Sequence, residues 1–402
     1  MIANIVSVSI PFVFYALPLL LAYAAYHLWI HYIRSEYINK TKWILLEIKL
    51  PREITKTPQA MELALNALHQ TWDGDNEFKK FFQGQLRTWF SLELVSFGGE
   101  IHFYLWTSDF FQNIIEAQFY AQYPGIEIKQ VEDYVHNVPY GLPGSEWKLW
   151  GLEFTLSKED ALPIKTYINY GLDKPVADQD SEQAKTDPIT AALEYLGTVG
   201  PGEQMWIQIL VQATKDRFYK SGSWLGKREG WKEQGKALIE KRMQRDKPKN
   251  EESPGTFTSL SPGERSVMED IERSLAKPGF DCGIRGIYLS SGKLDPKRFV
   301  GLLGTFKQYN SASSNGFKPG WTTGAKYWWN DPLGTRVPRL KALIFDSYRR
   351  RSYFYPPYAA KPFVLSSEEL ATIYHFPGRV SATPSLAKIE SKRGEPPVNL
   401  PI

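Results

Sequence analysis

Histidines and carboxylates are the residues of this chain whose types could support catalysis or bind a metal ion. Glu100 and His102 alternate on a predicted strand, so both side chains face the same side and could together hold a metal. A solvent-facing hairpin accounts for the same pair, and we favour that interpretation. His69 lies near the end of a predicted helix, where the helix dipole favours it, and His375 is predicted to be packed or to cap a helix. The sequence therefore predicts no catalytic residue and no metal ligand.

The signature motifs of nucleotide-binding and hydrolytic enzymes are absent from the sequence. The lysines of Gly226-Lys227-Arg228 and Gly292-Lys293-Leu294 are not followed by the Ser or Thr that ligates magnesium in a phosphate-binding loop. No zinc-protease helix motif or nucleophile elbow occurs. Cys282 is the only cysteine, which excludes a disulfide scaffold and a cysteine zinc site. We expect a non-enzymatic protein without a cofactor, and keep a hydrolase or ligase with an unrecognised site as an alternative.

A basic and aromatic insert, residues 214–260, is the strongest candidate for binding a partner. From Lys215 to Lys249 it contains twelve Lys or Arg and five Asp or Glu, although the whole chain has a net charge of only +4. Its cations attract phosphates and its rings can stack on bases, which suits single-stranded nucleic acid. Anionic lipid headgroups suit it equally, and a solvated loop and helix needs no partner. The candidate binding residues are Lys215, Arg217, Tyr219, Lys220, Trp224, Lys227, Arg228, Trp231 and Lys232.

A second patch of the same kind lies nearer the C-terminus. Arg349, Arg350 and Arg351 stand between Tyr348 and Tyr353, so cations and aromatic rings again occur together. The same three interpretations apply to this patch: binding of DNA, binding of anionic lipid, or a solvated surface.

The N-terminal segment is predicted to cross a membrane. No Asp, Glu, Lys or Arg occurs from Ile2 to Ile33, and a run of this length spans the hydrocarbon core even when tilted. A cleaved signal peptide is the rival interpretation, but the segment lacks a basic leader. Basic residues follow the span, beginning with Arg34 and Lys40, and none precedes it. We therefore predict a retained single-pass anchor at residues 1–35 in the cytoplasmic membrane, with the N-terminus outside and the body in the cytoplasm.

The body is predicted to be α+β and to begin with a ferredoxin-like module at residues 40–140. A strand at Trp43–Leu50 precedes a helix that starts at Thr57-Pro58, with Thr as N-cap and Pro in the first turn. Gly98-Gly99 indicates a hairpin between two strands, Ser108 caps a second helix, and Ile126–Val131 forms the last strand. This β-α-β-β-α-β order is that of the ferredoxin-like fold.

A second, less regular α+β module is predicted at residues 150–330, with the basic insert inside it. Its elements, from a strand at Ile164–Tyr170 to a helix at Asp295–Phe306, are compatible with a degenerate copy of the first module. Within it, a helix is expected to start at the Ser261-Pro262 cap. Residues 331–402 are predicted to be irregular, rich in Tyr and Pro, and to end as an exit linker.

Several short segments resemble one protein family. Leu45–Glu53, Gly98–Phe103, Ala121–Pro124 and Val364–Gly378 are similar to segments of the membrane-anchored N-terminal modules of type IV secretion and conjugation ATPases, of the VirB4 or VirD4 kind, in candidate-phylum bacteria. The resemblance implies a scaffold that docks a motor ATPase at the membrane. Because the chain reaches Ile402 without the motor's nucleotide-binding loop, any ATPase activity is expected to come from a separate polypeptide or to be absent. The expected partners are the membrane and that ATPase, with DNA and a second copy of the chain as further candidates.

Overall fold

A long N-terminal helix leads into a body built on one antiparallel sheet. The computed structural model describes residues 2–51, 54–72, 77–173, 187–215, 230–245, 261–324 and 331–378. The elements of the first half are α1 (Ile2–Lys40), β1 (Trp43–Lys49), α2 (Pro58–Asn66), α3 (Glu77–Phe82), β2 (Phe90–Phe97), β3 (Glu100–Ser108), α4 (Gln112–Gln122) and β4 (Glu127–Val131). Those of the second half are β5 (Lys148–Leu156), α5 (Pro188–Gly197), β6 (Glu203–Ala213), α6 (Trp231–Arg245), α7 (Pro262–Leu275), β7 (Gly279–Ser290), α8 (Pro296–Gly304), β8 (Phe317–Thr322), α9 (Arg336–Arg349), β9 (Phe363–Ser366) and α10 (Ser367–Ile373).

Local signals in the sequence mark several of these elements correctly. Helix α2 follows Thr57 and has Pro58 in its first turn. Helix α7 follows Ser261, which forms a capping box with Glu264 and so satisfies two backbone N–H groups at the helix start. Gly98 and its neighbour adopt positive φ angles of 59° and 100°, as a tight turn between antiparallel strands requires.

Two predictions about the second half were wrong. Ile164–Tyr170 is not a strand, because the side chain of Asn169 accepts a hydrogen bond from the backbone N–H of Thr166 and closes a turn there. Residues 331–378 are not irregular, since they contain α9, β9 and α10, and the predicted exit linker lies outside the described residues. Asp331 helps to start α9 by accepting hydrogen bonds from the N–H groups of Arg336 and Val337.

Nine strands form the sheet, in the order β4-β1-β3-β2-β6-β7-β5-β8, with β9 paired to β7. All neighbouring strands are antiparallel. Strands β2 and β6 join the two halves through eight residue pairs, from Phe90 opposite Val211 to Phe97 opposite Gln204. The two predicted modules therefore share one continuous sheet, and the predicted α+β class is confirmed.

Both faces of the sheet are covered, because strands at its centre are apolar on both sides. One face packs against α2, α4, α5, α8 and α10, with Leu46, Leu92 and Ile209 in that core. The other face packs against α9 and a short 3₁₀ helix at Tyr134–Asn137, with Trp206 at its centre. The result is a three-layer arrangement of helices, sheet and helix.

Helix α1 is apolar enough to cross a membrane over Ala16–Lys40, and the rest of the chain covers little of it. A signal sequence shares these properties. Only two residues separate Lys40, the last residue of α1, from the start of β1. The path between helix and sheet is therefore short.

The end of the sheet at which β1 starts is called the anchor end. Trp43, the first residue of β1, lies opposite Ser108, the last residue of β3, and β2 starts at this end as well. Strand β6 runs toward the same end, because Val211 lies opposite Phe90. At about 4.8 Å between strands, β6 leaves the sheet roughly 15 Å from the start of β1. The basic insert thus begins at the end of the sheet where α1 enters.

Candidate juxtamembrane binding site

A cavity of about 590 Å³ lies between the last turns of α1 and the loop after α9. His31, Ser35 and Asn39 of α1 line one side, and residues 349–358 line the other. Because α1 is the element that could cross a membrane, we call this cavity the juxtamembrane pocket. It brings together the predicted arginine patch and the end of the predicted anchor, although more than 300 residues separate them in the sequence.

Three tryptophans form the apolar wall of the juxtamembrane pocket. Trp43 stacks on Trp106 with ring centroids 4.1 Å apart and an interplanar angle of 10°, and Trp89 lies 4.7 Å from Trp43. The indole Nε1 of Trp43 donates a hydrogen bond to the carbonyl oxygen of Ile38 at 3.0 Å. This contact joins the wall directly to the last turns of α1.

Arg349 and Arg350 supply the positive charge of the pocket. Their side chains are 43% and 54% exposed, and each is within 4 Å of Asp346, at 3.7 Å and 2.9 Å. Burial tends to raise the pKa of Asp346, but the hydroxyl of Tyr358 and the two arginines outweigh burial and lower it. The carboxylate therefore stays ionised and balances one of the positive charges of Arg349 and Arg350. Asp133, which pairs with Arg351, also lines the pocket.

Arg351 is not part of the accessible patch that the sequence predicted. Its side chain is 1% exposed, and its backbone has a positive φ of 48°, which turns it inward after α9. The guanidinium binds Glu93 through two hydrogen bonds and also pairs with Asp133. It lies 5.6 Å from the ring centroid of Trp106, behind the tryptophan wall. The buried Glu93 and the partly exposed Asp133 thus hold Arg351 within the fold.

The basic insert is described only at its two ends. Arg217, Tyr219, Lys220, Trp224, Lys227 and Arg228 lie outside the described residues. Lys215 and Trp231 line a separate cavity of about 490 Å³, and Lys232 is exposed at the start of α6. Trp231 is only 7% exposed because its indole packs on Gly279, where an added Cβ would lie 2.7 Å from its Nε1. Trp231 is therefore a packing residue and is not available for base stacking.

His375 has the structural role that the sequence suggested, whereas His102, in the hairpin predicted to face solvent, has a side chain that is only 15% exposed. His375 is 1% exposed and is packed, as predicted. Its Nδ1 is 2.9 Å from the carbonyl oxygen of Ala371 and its Nε2 is 3.0 Å from Asp187. His102 pairs with Glu47 of the neighbouring strand at 2.7 Å, and within the described part of the chain no three metal-ligating residues form a metal-binding group.

A buried carboxylate cluster was missed by reasoning from the sequence. Glu62 of α2 and Glu368 of α10 are both 2.9 Å from the amino group of Lys277. Glu369 is 1% exposed and accepts hydrogen bonds from the backbone N–H groups of Ile164 and Ser366, and burial raises its pKa to about 7. The spacing of Ser366 and Glu369 is that of a capping box, a signal that the sequence offered.

These carboxylates surround α10, in which every residue is buried. The segment Val364–Gly378 therefore contributes to the core of this protein. Its charged side chains are matched by Lys277 and Arg273. The arrangement stabilises the packing of α10 on α2.

The sequence matches a family described as a domain of unknown function (DUF8128) over residues 35–388. The chain belongs to this family. The DUF8128 region starts in the last turns of α1, and it includes the whole sheet and both sides of the juxtamembrane pocket apart from His31. No curated protein matches the chain.

Proposed function

We propose that this DUF8128 protein is a non-enzymatic scaffold that is anchored in the membrane and holds a partner at the membrane surface. The observation that carries the proposal is the set of contacts that fixes α1 against the body. Ile33 is 4% exposed, Trp29 Nε1 donates to the carbonyl oxygen of Phe81 at 2.9 Å, and Trp43 binds the end of α1. A cleaved signal sequence has no need of such contacts, whereas a scaffold must hold its body in one orientation.

The proposed anchor is single-pass, with the body on the cytoplasmic side. Residues 2–25 of α1 precede Tyr26, whose ring is 5.8 Å from that of Phe81, and would be about 36 Å long as a helix, which exceeds a hydrocarbon core of about 30 Å. Arg34, Lys40 and Lys42 follow directly, and a basic flank of this kind is typical of the cytoplasmic side.

The body is proposed to consist of two ferredoxin-like units. The order β4-β1-β3-β2 in the first half corresponds to β8-β5-β7-β6 in the second, element for element, with antiparallel neighbours throughout. The units meet at their equivalent strands β2 and β6. The basic insert lies between β6 and β7, the two strands of the central hairpin of the second unit. An internal duplication of one unit would produce this arrangement.

The proposed partner is a motor ATPase of a type IV secretion or conjugation system, on a separate polypeptide. The resemblance of Val364–Gly378 and the other segments to the N-terminal modules of such motors supports this choice. In this proposal the scaffold supplies position and the partner supplies nucleotide hydrolysis.

Affinity purification of the full chain after mild detergent extraction tests whether the proposed scaffold binds a motor ATPase. We expect a Walker-motif ATPase to be recovered with the chain and to be absent when an unrelated single-pass protein with the same tag is purified. Recovery of no such ATPase after chemical crosslinking in intact cells would contradict the choice of partner.

A second candidate function, binding of an anionic lipid headgroup, is favoured by the juxtamembrane pocket. Arg349 and Arg350 offer charge, and the tryptophan wall offers an apolar surface, beside the end of a helix that would leave the bilayer at this level. A phosphate of a lipid headgroup would meet the arginine rim while its glycerol region contacts the tryptophans. DNA binding by the same cations is the competing proposal.

Lipid retention by the detergent-solubilised full chain distinguishes these two candidates. After incubation with equal amounts of phosphatidylglycerol and phosphatidylcholine, we expect mass spectrometry to show preferential retention of phosphatidylglycerol. The double variant Arg349→Ala/Arg350→Ala should lose the preference, whereas Arg339→Ala, an exposed cation on the same helix outside the pocket, should keep it. Equal retention of both lipids, with binding of a fluorescent single-stranded oligonucleotide that weakens steeply with salt, would favour DNA.

A further inference from the structure

The short helix α3 exposes large aromatic side chains. Phe78 and Phe82 are each 61% exposed, and Phe81 is 37% exposed. The rings of Phe78 and Phe82 are neighbours, with centroids 4.7 Å apart, so they form a contiguous apolar patch. Exposed aromatic patches of this kind mark a surface that is covered by something else.

Helix α3 is held against α1. Trp29 Nε1 donates to the carbonyl oxygen of Phe81 at 2.9 Å, and the rings of Tyr26 and Phe81 are 5.8 Å apart. Just after α3, Gly84 approaches α1 so closely that an added Cβ would lie 2.3 Å from the carbonyl oxygen of Ile33. These contacts fix the position of α3 along the anchor helix, at the level of Tyr26 to Ile33.

That level coincides with the place where the proposed span ends. The apolar part of α1 before Tyr26 is about 36 Å long, so Tyr26 and Trp29 would lie near the boundary between acyl chains and headgroups. Both are partly exposed, at 47% and 45%, as expected of aromatic residues at a membrane interface. The patch on α3 lies beside them.

We propose that α3 is an interfacial element that inserts Phe78 and Phe82 into the headgroup region of the bilayer. The inference rests on the proposed membrane anchoring. The bilayer is the occupant that the geometry favours, because α3 is fastened to α1 at the depth where α1 leaves the hydrocarbon core.

Insertion of α3 would restrict rotation of the body, which α1 alone cannot do. A single helix leaves the body free to rotate about the helix axis, whereas insertion at α3 adds a second point of attachment. The anchor end of the sheet, with the juxtamembrane pocket and the start of the basic insert, would then keep one orientation toward the membrane.

Depth-dependent fluorescence quenching in vesicles tests the proposal with the full chain. An environment-sensitive fluorophore is attached at Phe82→Cys, at Tyr23→Cys within the span, or at Leu142→Cys. Leu142 is 62% exposed, which matches Phe82, but it precedes β5 at the opposite end of the sheet. The native Cys282 is fully buried and does not compete for the label. Vesicles contain phosphatidylglycerol and phosphatidylcholine with or without a nitroxide-labelled lipid.

We expect the nitroxide lipid to quench the probes at Tyr23→Cys and Phe82→Cys and to leave the probe at Leu142→Cys unchanged. Quenching at Tyr23→Cys without quenching at Phe82→Cys would overturn the role of α3 while the anchor stands. Absence of quenching at both positions would overturn the anchor itself, and the role of α3 with it.

Discussion

The guanidinium of Arg351 donates two hydrogen bonds to the carboxylate of Glu93, from Nε at 3.0 Å and from Nη2 at 3.1 Å. Glu93 is fully buried in β2, and the tyrosine hydroxyl of Tyr134 donates to it at 2.8 Å. Since Asp133 pairs with the same guanidinium, the loop after α9 is tied both to the sheet and to the segment that follows β4. The pair thus closes the face of the sheet behind the juxtamembrane pocket.

Removing Arg351 is expected to destabilise the protein. In Arg351→Ala, Glu93 would remain buried without its cation, which costs about 3–5 kcal/mol. Arg351→Lys should keep only part of the stability that Arg351→Ala loses, because an ammonium cannot make the planar pair of hydrogen bonds. Thermal unfolding in detergent measures the effect, with Arg350→Ala as the control. Equal melting temperatures for Arg350→Ala and Arg351→Ala would contradict the structural role of the pair.

Glu369 is expected to make stability depend on pH near neutrality. Burial raises its pKa from 4.5 to about 7, so the folded protein binds a proton more tightly than the unfolded chain does. The contribution of Glu369 to the free energy of unfolding is therefore fully present below about pH 4.5 and is lost as the pH rises through 7. A shift of this size corresponds to roughly 3 kcal/mol.

The variant Glu369→Gln isolates this contribution, because an amide does not titrate. We expect the stability difference between the wild type and Glu369→Gln to change between pH 5 and pH 8, in the direction of a relatively weaker wild type at high pH. Glu272→Gln, at an exposed position of α7, serves as the control. A difference that is constant across this pH range would show that Glu369 does not titrate there.

The joint between α1 and the body is expected to be sensitive at Gly84. In Gly84→Ala, the new Cβ would lie 2.3 Å from the carbonyl oxygen of Ile33, and the backbone already has a φ of 65°. Together the clash and the strain should cost about 2–4 kcal/mol. Gly141→Ala is a matched control, because its φ is 80° and its Cβ would meet nothing within 4 Å.

Limited proteolysis and thermal unfolding of both glycine variants measure this effect. We expect Gly84→Ala to increase cleavage between α1 and the body more than Gly141→Ala does. If both variants behave alike, backbone strain alone accounts for the result and close packing at Ile33 is not needed.

The sequence by itself determined the features that depend on neighbouring residues. The apolar run of α1, the caps at Thr57-Pro58 and Ser261, and the turn at Gly98-Gly99 are all local, so each could be recognised from a few adjacent positions. The α+β class followed from these elements. The partner, the topology in the membrane and the binding of DNA or lipid stay predictions.

Only the tertiary structure decided which side chains face solvent and which segments meet. Arg349 and Arg351 are two residues apart, yet the side chain of Arg349 is 43% exposed and that of Arg351 is 1% exposed, because Glu93, 258 positions away from Arg351, holds the guanidinium of Arg351 inside the fold. The junction of β2 with β6 likewise depends on register between distant strands. Pairing over such separations is set by the whole packed sheet, and no local pattern in the sequence encodes it.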